Sequence, residues 1–513
     1  MNPVNQIVIV GGGTAGWLTA GVIAAANRDR MPHGFTVTLV ESPNVPTIGV
    51  GEGTWPTLRN TLRRIGVRET DFFRECDAAF KQGARFNRWT TGAPDDGYYH
   101  PLMLPQSFGR VNLAAHWIED EQGGSFCDAV TPQGRICDAG LAPKMLTTPE
   151  FEAVANYAYH LDAGKLGAFL QRHCCETLGV RHVLADVDQV NLTDQGDIAS
   201  VGIGGERVIE GDLFIDCTGF SAKLLGGVMG VPFRPCEDVL FCDTALAVQV
   251  PYAKADDPIA SHTISTAQSA GWIWDIGLPT RRGVGHVFSS NHISAETAER
   301  ELRAYIGDEA GTLPIRKLAI RAGHRETFWK RNCVAVGLAA GFLEPLEASA
   351  IVLIELSAKM IAEQMPACRE VMDVIARRYN ETTLYRWGRI IDFLKLHYAL
   401  TKRTDSDFWR DNVRPETMPE RLRELMALWR YHAPWAHEEF DRVEEVFPAA
   451  SYQYVLYGMG FHTDPAPGTT ASNADLAARA MRDNAVQSER MLQGLPRHRD
   501  LINRIVERGL QPI

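Results

Sequence analysis

Ile7-Val8-Ile9-Val10-Gly11-Gly12-Gly13-Thr14-Ala15-Gly16 decides how this chain begins to fold. Four consecutive apolar residues stopped by glycine predict a short strand buried on both faces, the habit of a parallel sheet. The Ala-, Leu- and Ile-rich run from Thr14 to Asn27 predicts a helix, and Phe35 to Val40 predicts a second strand that ends at Glu41. Strand, glycine turn, helix and strand form a β-α-β unit, the context in which Gly11-x-Gly13-x-x-Gly16 reads as a dinucleotide fingerprint. Gly11 permits the tight turn, and Gly13 lets backbone amides approach a pyrophosphate. Gly16 lets the helix pack close to the strand, which sets its positive end, at Thr14 and Ala15, against the diphosphate. Glu41 is placed for the ribose hydroxyls, the polar insert from Asn27 to Gly34 accounting for its distance from the glycines.

Outward from this unit the chain alternates. Residues 71–116 are irregular and rich in Gly, Pro and aromatics, which suits active-site loops more than a core. Tyr157 to Cys175 has helical periodicity, with Leu166, Phe169 and Leu170 on one face. Short strands are expected over 183–190, 198–203 and 208–209, then at 246–250, 272–276 and 285–288. Two apolar strands end at glycine turns, Asp212 to Gly219 and Asn332 to Gly337, and a helix is expected from Ser349 to Met365. After 365 the texture turns helical, and 463–472 reads as a loop. The Asp212–Gly219 segment resembles the strand that closes FAD domains of the glutathione-reductase and hydroxylase type. The turn from Gly337 to Gly341 resembles their second flavin contact. Together they favour FAD over NAD. The expected fold is α/β: a Rossmann-like FAD-binding and catalytic domain with an inserted substrate-side sheet over residues 1–365, and a mainly helical C-terminal region over 366–513 covering the substrate site.

Bulk composition narrows the function. The chain has 513 residues, 45% hydrophobic and 22% charged, ordinary for a globular protein with a sizeable core. A net charge of -11 without a Lys/Arg block argues against nucleic acid as a partner. No apolar run is long enough for a membrane span, and the first residues lack the pattern of a signal peptide. The ten cysteines form no CxxC pair or metal-spaced array, so no metal site is expected. Reduced thiols in a cytoplasmic protein are the expectation.

Further motifs follow the fingerprint in a fixed order: Gly49-Val50-Gly51-Glu52-Gly53-Thr54, Phe80-Lys81-Gln82-Gly83, Tyr99-His100-Pro101, Tyr159-His160-Leu161-Asp162-Ala163, Gly271-Trp272-Ile273-Trp274-Asp275-Ile276 and Gly341-Phe342-Leu343-Glu344-Pro345-Leu346-Glu347. In isolation Lys81 reads as a surface lysine, though Phe80, Gly83 and Phe86 tilt it towards partial burial. Trp272 and Trp274 read as two aromatics on one strand face. Glu347 reads as an acid at a helix start.

In this order, over nearly the whole chain, the motifs resemble the flavin-dependent tryptophan halogenases. The resemblance implies an enzyme in which FADH2 and O2 oxidise chloride or bromide to hypohalous acid. That acid then crosses the protein to an electron-rich aromatic substrate. Lys81 matches the family's essential lysine, which polarises hypohalous acid as an ammonium or captures it as a haloamine. Glu347 matches the glutamate that stabilises the cationic ring and takes its proton. Ser349 and Ala350 match the halide site, and Gly49 and Leu338 join Gly11, Gly13, Thr14, Ala15, Gly16, Glu41 and Gly337 as flavin contacts. Trp272 and Trp274 match the tunnel wall, and His100, Pro101 and Tyr454 the substrate chamber. With no second dinucleotide motif evident, a separate NAD(P)H-dependent flavin reductase is implied. A homodimer is the base-rate expectation for an enzyme of this size.

The chain also departs from the tryptophan-specific members. Ala348-Ser349-Ala350 stands for their Ser-Thr-Gly, Gly277 for a proline, and Leu102 for a phenylalanine. The Tyr452–Gly460 segment resembles their substrate lid without the residues that grip a free amino acid. An indole or phenol without the amino-acid head is therefore the expected substrate. The alternative activity is a flavin-dependent aromatic monooxygenase that hydroxylates its substrate.

Overall fold

The computed structural model describes residues 3–28, 34–45, 51–119, 124–307, 311–435, 440, 442–443 and 445–512. By packing, the chain forms two compact units, each assembled from three segments. The first is Met1–Ala78, Leu161–Cys236 and Arg321–Trp387; the second is Ala79–His160, Glu237–Ile320 and Gly388–Ile513.

The first unit is built on a six-stranded sheet in the order Trp329–Lys330, Cys333–Ala335, Leu213–Asp216, Gln6–Val10, Thr36–Glu41 and Arg181–Leu184. All neighbours are parallel except the edge strand Trp329–Lys330. Ile7 pairs with both Leu213 and Val37 at the centre, and Ile7, Val8, Ile9 and Val10 are buried. An uninterrupted apolar run satisfies a central parallel strand because both of its faces are covered. The first helix, Thr14–Asn27, packs against the helices Ala163–Glu176 and Ser349–Glu363. Its Trp17, Leu18, Ala20, Val22 and Ile23 are all buried, which explains a helix apolar on nearly every side.

The second unit carries a seven-stranded sheet in the order Arg316–Ala319, Thr244–Pro251, Arg281–Phe288, Gly271–Gly277, Thr263–Ala267, Gly83–Asn87 and Gly97–Pro101. Its pairs are antiparallel except Thr263–Ala267 with Gly83–Asn87. Leu246, Val248, Val250, Ile273, Val284 and Phe288 form an aliphatic core with Ala298 and Leu302 of the helix Ala295–Ile306. The helix Ala449–Gly458 packs on the strand Gly97–Pro101. After 365 the regular structure among the described residues is helical.

Two expectations are corrected. The region 71–116 is not mainly loop: it holds the strands Ala79–Lys81, Gly83–Asn87 and Gly97–Pro101, and Phe72, Phe73, Phe80, Phe86 and Trp89 are buried. Its glycines and prolines punctuate short strands whose aromatics fill a core. The helix expected from Tyr157 begins only at Ala163, because Ala158–Asp162 is a strand pairing with Ala79–Lys81. Asp162 marks the change by accepting a hydrogen bond from the amide of Lys165 as N-cap.

Candidate active site

In the first unit the glycine turn is a cradle of backbone. Gly11 adopts φ +115°, and a Cβ there would lie 2.1 Å from the carbonyl oxygen of Cys217 on the neighbouring strand. A Cβ on Gly16 would lie 1.8 Å from the Gly11 carbonyl oxygen, so the helix closes on the strand only with glycine there. At Gly13 a Cβ would meet nothing within 4 Å. Gly13 is also the N-cap and supplies no capping side chain to the first-turn amides of Thr14, Ala15 and Gly16. Glu41 ends its strand beside Gly12, where a Cβ would lie 2.1 Å from the Glu41 carboxyl carbon, and faces His182 Nε2 at 3.0 Å. The turn at Gly337, φ +69°, abuts the same helix start, since its Cβ would fall 2.6 Å from that of Ala15. Leu338 follows, half-buried. These contacts fit a dinucleotide: the open side of the turn presents amides, and an acid stands at the strand end. Gly49 lies outside the described residues.

The glutamate segment belongs to the same unit. Glu347 is 6% exposed, and its carbonyl oxygen accepts the indole N–H of Trp55 at 2.7 Å. A turn closed from the amide of Ala348 to the carbonyl of Pro345 leads into the helix Ser349–Glu363. Ala348 is the N-cap in left-handed conformation, φ 54° and ψ 42°, and its methyl group cannot cap. The first amides of that helix thus lack a side-chain acceptor from the N-cap, as an anion site at a helix start requires. Ser349 is buried and Ala350 exposed. Deeper in the helix, Glu355 accepts hydrogen bonds from Thr57 and Thr61. Burial nevertheless pushes its carboxyl up to about 7.

The second unit holds Lys81, 4% exposed on the strand Ala79–Lys81. Both neighbours are pinned. The amide of Phe80 donates to His498 Nε2 at 3.1 Å, and the amide of Gln82 donates to the carbonyl of Ser261 at 2.7 Å. Register places the aromatic residues. Trp274 pairs with Ser265, Ser265 with Phe86, Thr263 with Ala84, and Ala84 with His100. Because side chains alternate along strands, His100, Phe86, Trp272 and Trp274 share one face, opposite the aliphatic core around Ile273. The two tryptophan rings lie 6.5 Å apart, and Trp272 continues into Trp89 at 6.4 Å. Pro101 pairs with Gly83, two residues beyond the lysine. His100 lies 2.9 Å from the Ser451 hydroxyl and packs on Phe393 and Tyr454. Tyr454 donates its hydroxyl to the carbonyl of Met103 at 2.9 Å. The helix bearing it is buried from Ala449 to Tyr457, so this segment forms a wall.

Several residues here carried no signal in the sequence. Trp55, His182, Ser451 and Phe393 enter through contacts more than a hundred positions away in sequence. His160 stood in a motif without an assigned role. All ten cysteines are free thiols. No described helix is long and apolar enough to cross a membrane.

A parallel sheet whose first turn is a glycine cradle, followed by a closing strand and a second glycine turn, defines an FAD-binding α/β enzyme. A family profile, "Tryptophan halogenase", matches residues 6–474. The crystal structure of a tryptophan halogenase from Shewanella frigidimarina NCIMB 400 superimposes with a TM-score of 0.97 at 45% identity, over 100% of this chain and 99% of that one. Tar14, a tryptophan C-6 flavin-dependent halogenase (chlorinase) from taromycin biosynthesis, superimposes with a TM-score of 0.91 at 34% identity, over 98% and 99%. Tryptophan 6-halogenase SttH from Streptomyces toxytricini is 34% identical over 94% of this chain and 95% of its own length. This chain belongs to the tryptophan halogenase family. It is a flavin-dependent halogenase, not an aromatic hydroxylase, working with FADH2, O2, a halide and a separate flavin reductase.

Proposed function

We propose that this enzyme halogenates an indole-type arene lacking a free amino-acid head, using Lys81 and Glu347 as its catalytic pair. The observation that carries the assignment is the burial of Lys81 on a strand fixed on both sides, where solvated lysine would be the default. Gly11, Gly13, Thr14, Ala15, Gly16, Glu41, Gly49, Gly337 and Leu338 hold the flavin. When bound, reduced FAD supplies, with O2, the oxidation that turns halide into hypohalous acid. The amides of Ser349 and Ala350 hold the halide. Lys81 polarises hypohalous acid or carries its halogen, and the shielded site strengthens that interaction. As the ring carbon–halogen bond forms, Glu347 stabilises the cationic ring and takes the proton from the same carbon. Trp272 and Trp274 form a wall of the route, while His100, Pro101 and Tyr454 contact the arene, with the helices after 365 covering it.

The hydroxyls near the substrate wall support a headless arene. Those of Tyr454 and Ser451 are engaged with Met103 and His100, and Tyr457 pairs with Thr463 at 3.2 Å. Indole and free tryptophan, each supplied with reduced FAD, O2 and bromide or chloride, provide the test by product mass. Faster turnover of indole is expected. Preference for tryptophan would overturn the substrate assignment, and hydroxylated product with either arene would overturn halogenation itself. The ten free thiols suit a reducing, cytoplasmic compartment. A homodimer is checked by sedimentation.

A further inference from the structure

The face of the short sheet that carries Lys81 has a second long polar side chain. Ala79 pairs with His160 and Lys81 with Ala158, antiparallel. Lys81, Ala79, Ala158 and His160 therefore project to one side, with Lys81 and His160 on the diagonal. Diagonal neighbours on a sheet are about 7–8 Å apart at the backbone, within reach of long side chains. The directly opposed residues are both alanine, so no bulky group on these two strands separates the lysine from the imidazole.

His160 is fully buried. Its Nε2 lies 2.8 Å from the Thr263 hydroxyl, which anchors the ring from the neighbouring sheet. Its Nδ1 is buried with no hydrogen-bond partner. A buried, unsatisfied ring nitrogen is costly and calls for an explanation. The titratable groups whose charge acts on His160 are Lys81, His498 and His262. Burial holds His262 down at about 3 and His498 at about 4, so neither adds positive charge near neutral pH. Burial and the charge of Lys81 hold His160 itself well below its ordinary value. The imidazole is thus neutral, and in the tautomer whose Nε2 proton is directed at Thr263 its Nδ1 is an acceptor.

We propose that His160 is a positioning residue for Lys81: anchored through Thr263, it offers Nδ1 as the acceptor that steadies the lysine amine while hypohalous acid is captured. The Lys81 amine is not bonded to Nδ1 in this structure, and the bond made during capture would fix where the flexible four-carbon side chain ends. Captured halogen then passes to the arene instead of escaping. This rests on the role of Lys81 proposed above.

The test compares wild type with His160→Phe and His160→Asn. Each is supplied with reduced FAD, O2, bromide and indole. Ring-brominated indole is measured against free hypobromous acid, trapped by a diffusible dye, and FAD binding and Tm report the fold. His160→Phe keeps bulk and removes the acceptor. It is expected to lower the ratio of ring product to free acid about tenfold to a hundredfold, the worth of one hydrogen bond to a charged group. Total halide oxidation is expected to stay unchanged. Asn sets its oxygen near the Nδ1 position and is expected to restore most of the ratio. A wild-type ratio in His160→Phe would overturn the proposal, as would equal impairment in His160→Asn. Should His160→Phe fail to fold, Asn is compared with His160→Gln, whose acceptor falls nearer Nε2, and equal ratios in those two would overturn it. Absence of any brominated indole from wild type would instead overturn the parent assignment.

Discussion

The two units solve the problem of holding reactive chemistry in opposite ways. In the first, the binding surface is backbone: glycines at 11, 13, 16 and 337 leave amides and carbonyls at the surface, and at 11, 16 and 337 a side chain is excluded by atomic contact. In the second, the proposed working surface is side chain: register sets His100, Trp272 and Trp274 on one face of the seven-stranded sheet, and Lys81 and His160 on one face of the short sheet. A backbone cradle suits a cofactor whose diphosphate is recognised by amides. A side-chain chamber suits a substrate that differs between relatives, because its residues can change without altering the sheet.

That contrast can be broken most forcefully at Lys81. Replacement by Ala should remove ring halogenation by about a thousandfold, on the scale of a lost catalytic group, while FAD binding and halide oxidation persist. Product mass and flavin fluorescence read the two separately, and persistent ring product would remove the lysine from the mechanism. The counterpart in the backbone unit is Gly16→Ala, whose methyl group would strike the Gly11 carbonyl oxygen. A loss of about 3 kcal/mol or more is expected in chemical denaturation, with FAD affinity lost as well. A tolerated alanine would mean that the cradle is not set by close packing.

Glu355 sharpens the comparison through pH. Its folded value, about 7, lies above the ordinary glutamate value of 4.5. The stability it contributes is therefore fully present below about 4.5 and is lost as pH rises to about 7. The difference is on the order of 3 kcal/mol. Glu355→Gln should flatten that part of the stability–pH curve, and an unchanged slope would show that the carboxyl is ionised in the folded protein. Gly12→Ala is a milder probe than Gly16→Ala, since the atoms nearest its methyl group belong to the Glu41 side chain and not to backbone. The fold should survive while FAD affinity drops about tenfold, near 1.4 kcal/mol, by titration. The smallest effect is expected at Ala348→Gly, where relief of the left-handed conformation should add about 1 kcal/mol of stability.

Legibility in the sequence followed the same division. The strand Gln6–Val10, the helix Thr14–Asn27 and the acid at Glu41 appear where the pattern predicts them, because the β-α-β unit is encoded within about 35 consecutive residues. The helix Ser349–Glu363 was likewise readable from local periodicity. Residues 71–116 misled, because strands of three to five residues carry too few positions for alternation to show. Their aromatic content, which suggested a loop lined for substrate, instead belongs largely to a packed core.

From sequence alone came the dinucleotide turn, the family to which the motifs belong and the nomination of Lys81 and Glu347, since each is written in contiguous residues with fixed chemical needs. Tertiary structure alone decided how completely Lys81 is buried, that His100 lies on the tryptophan face, that Trp55 holds the Glu347 backbone and that His160 stands diagonal to the lysine. Those relations depend on strand register and on contacts between distant segments. A shift of one residue in pairing would reverse every face, and no local pattern in the chain specifies that pairing.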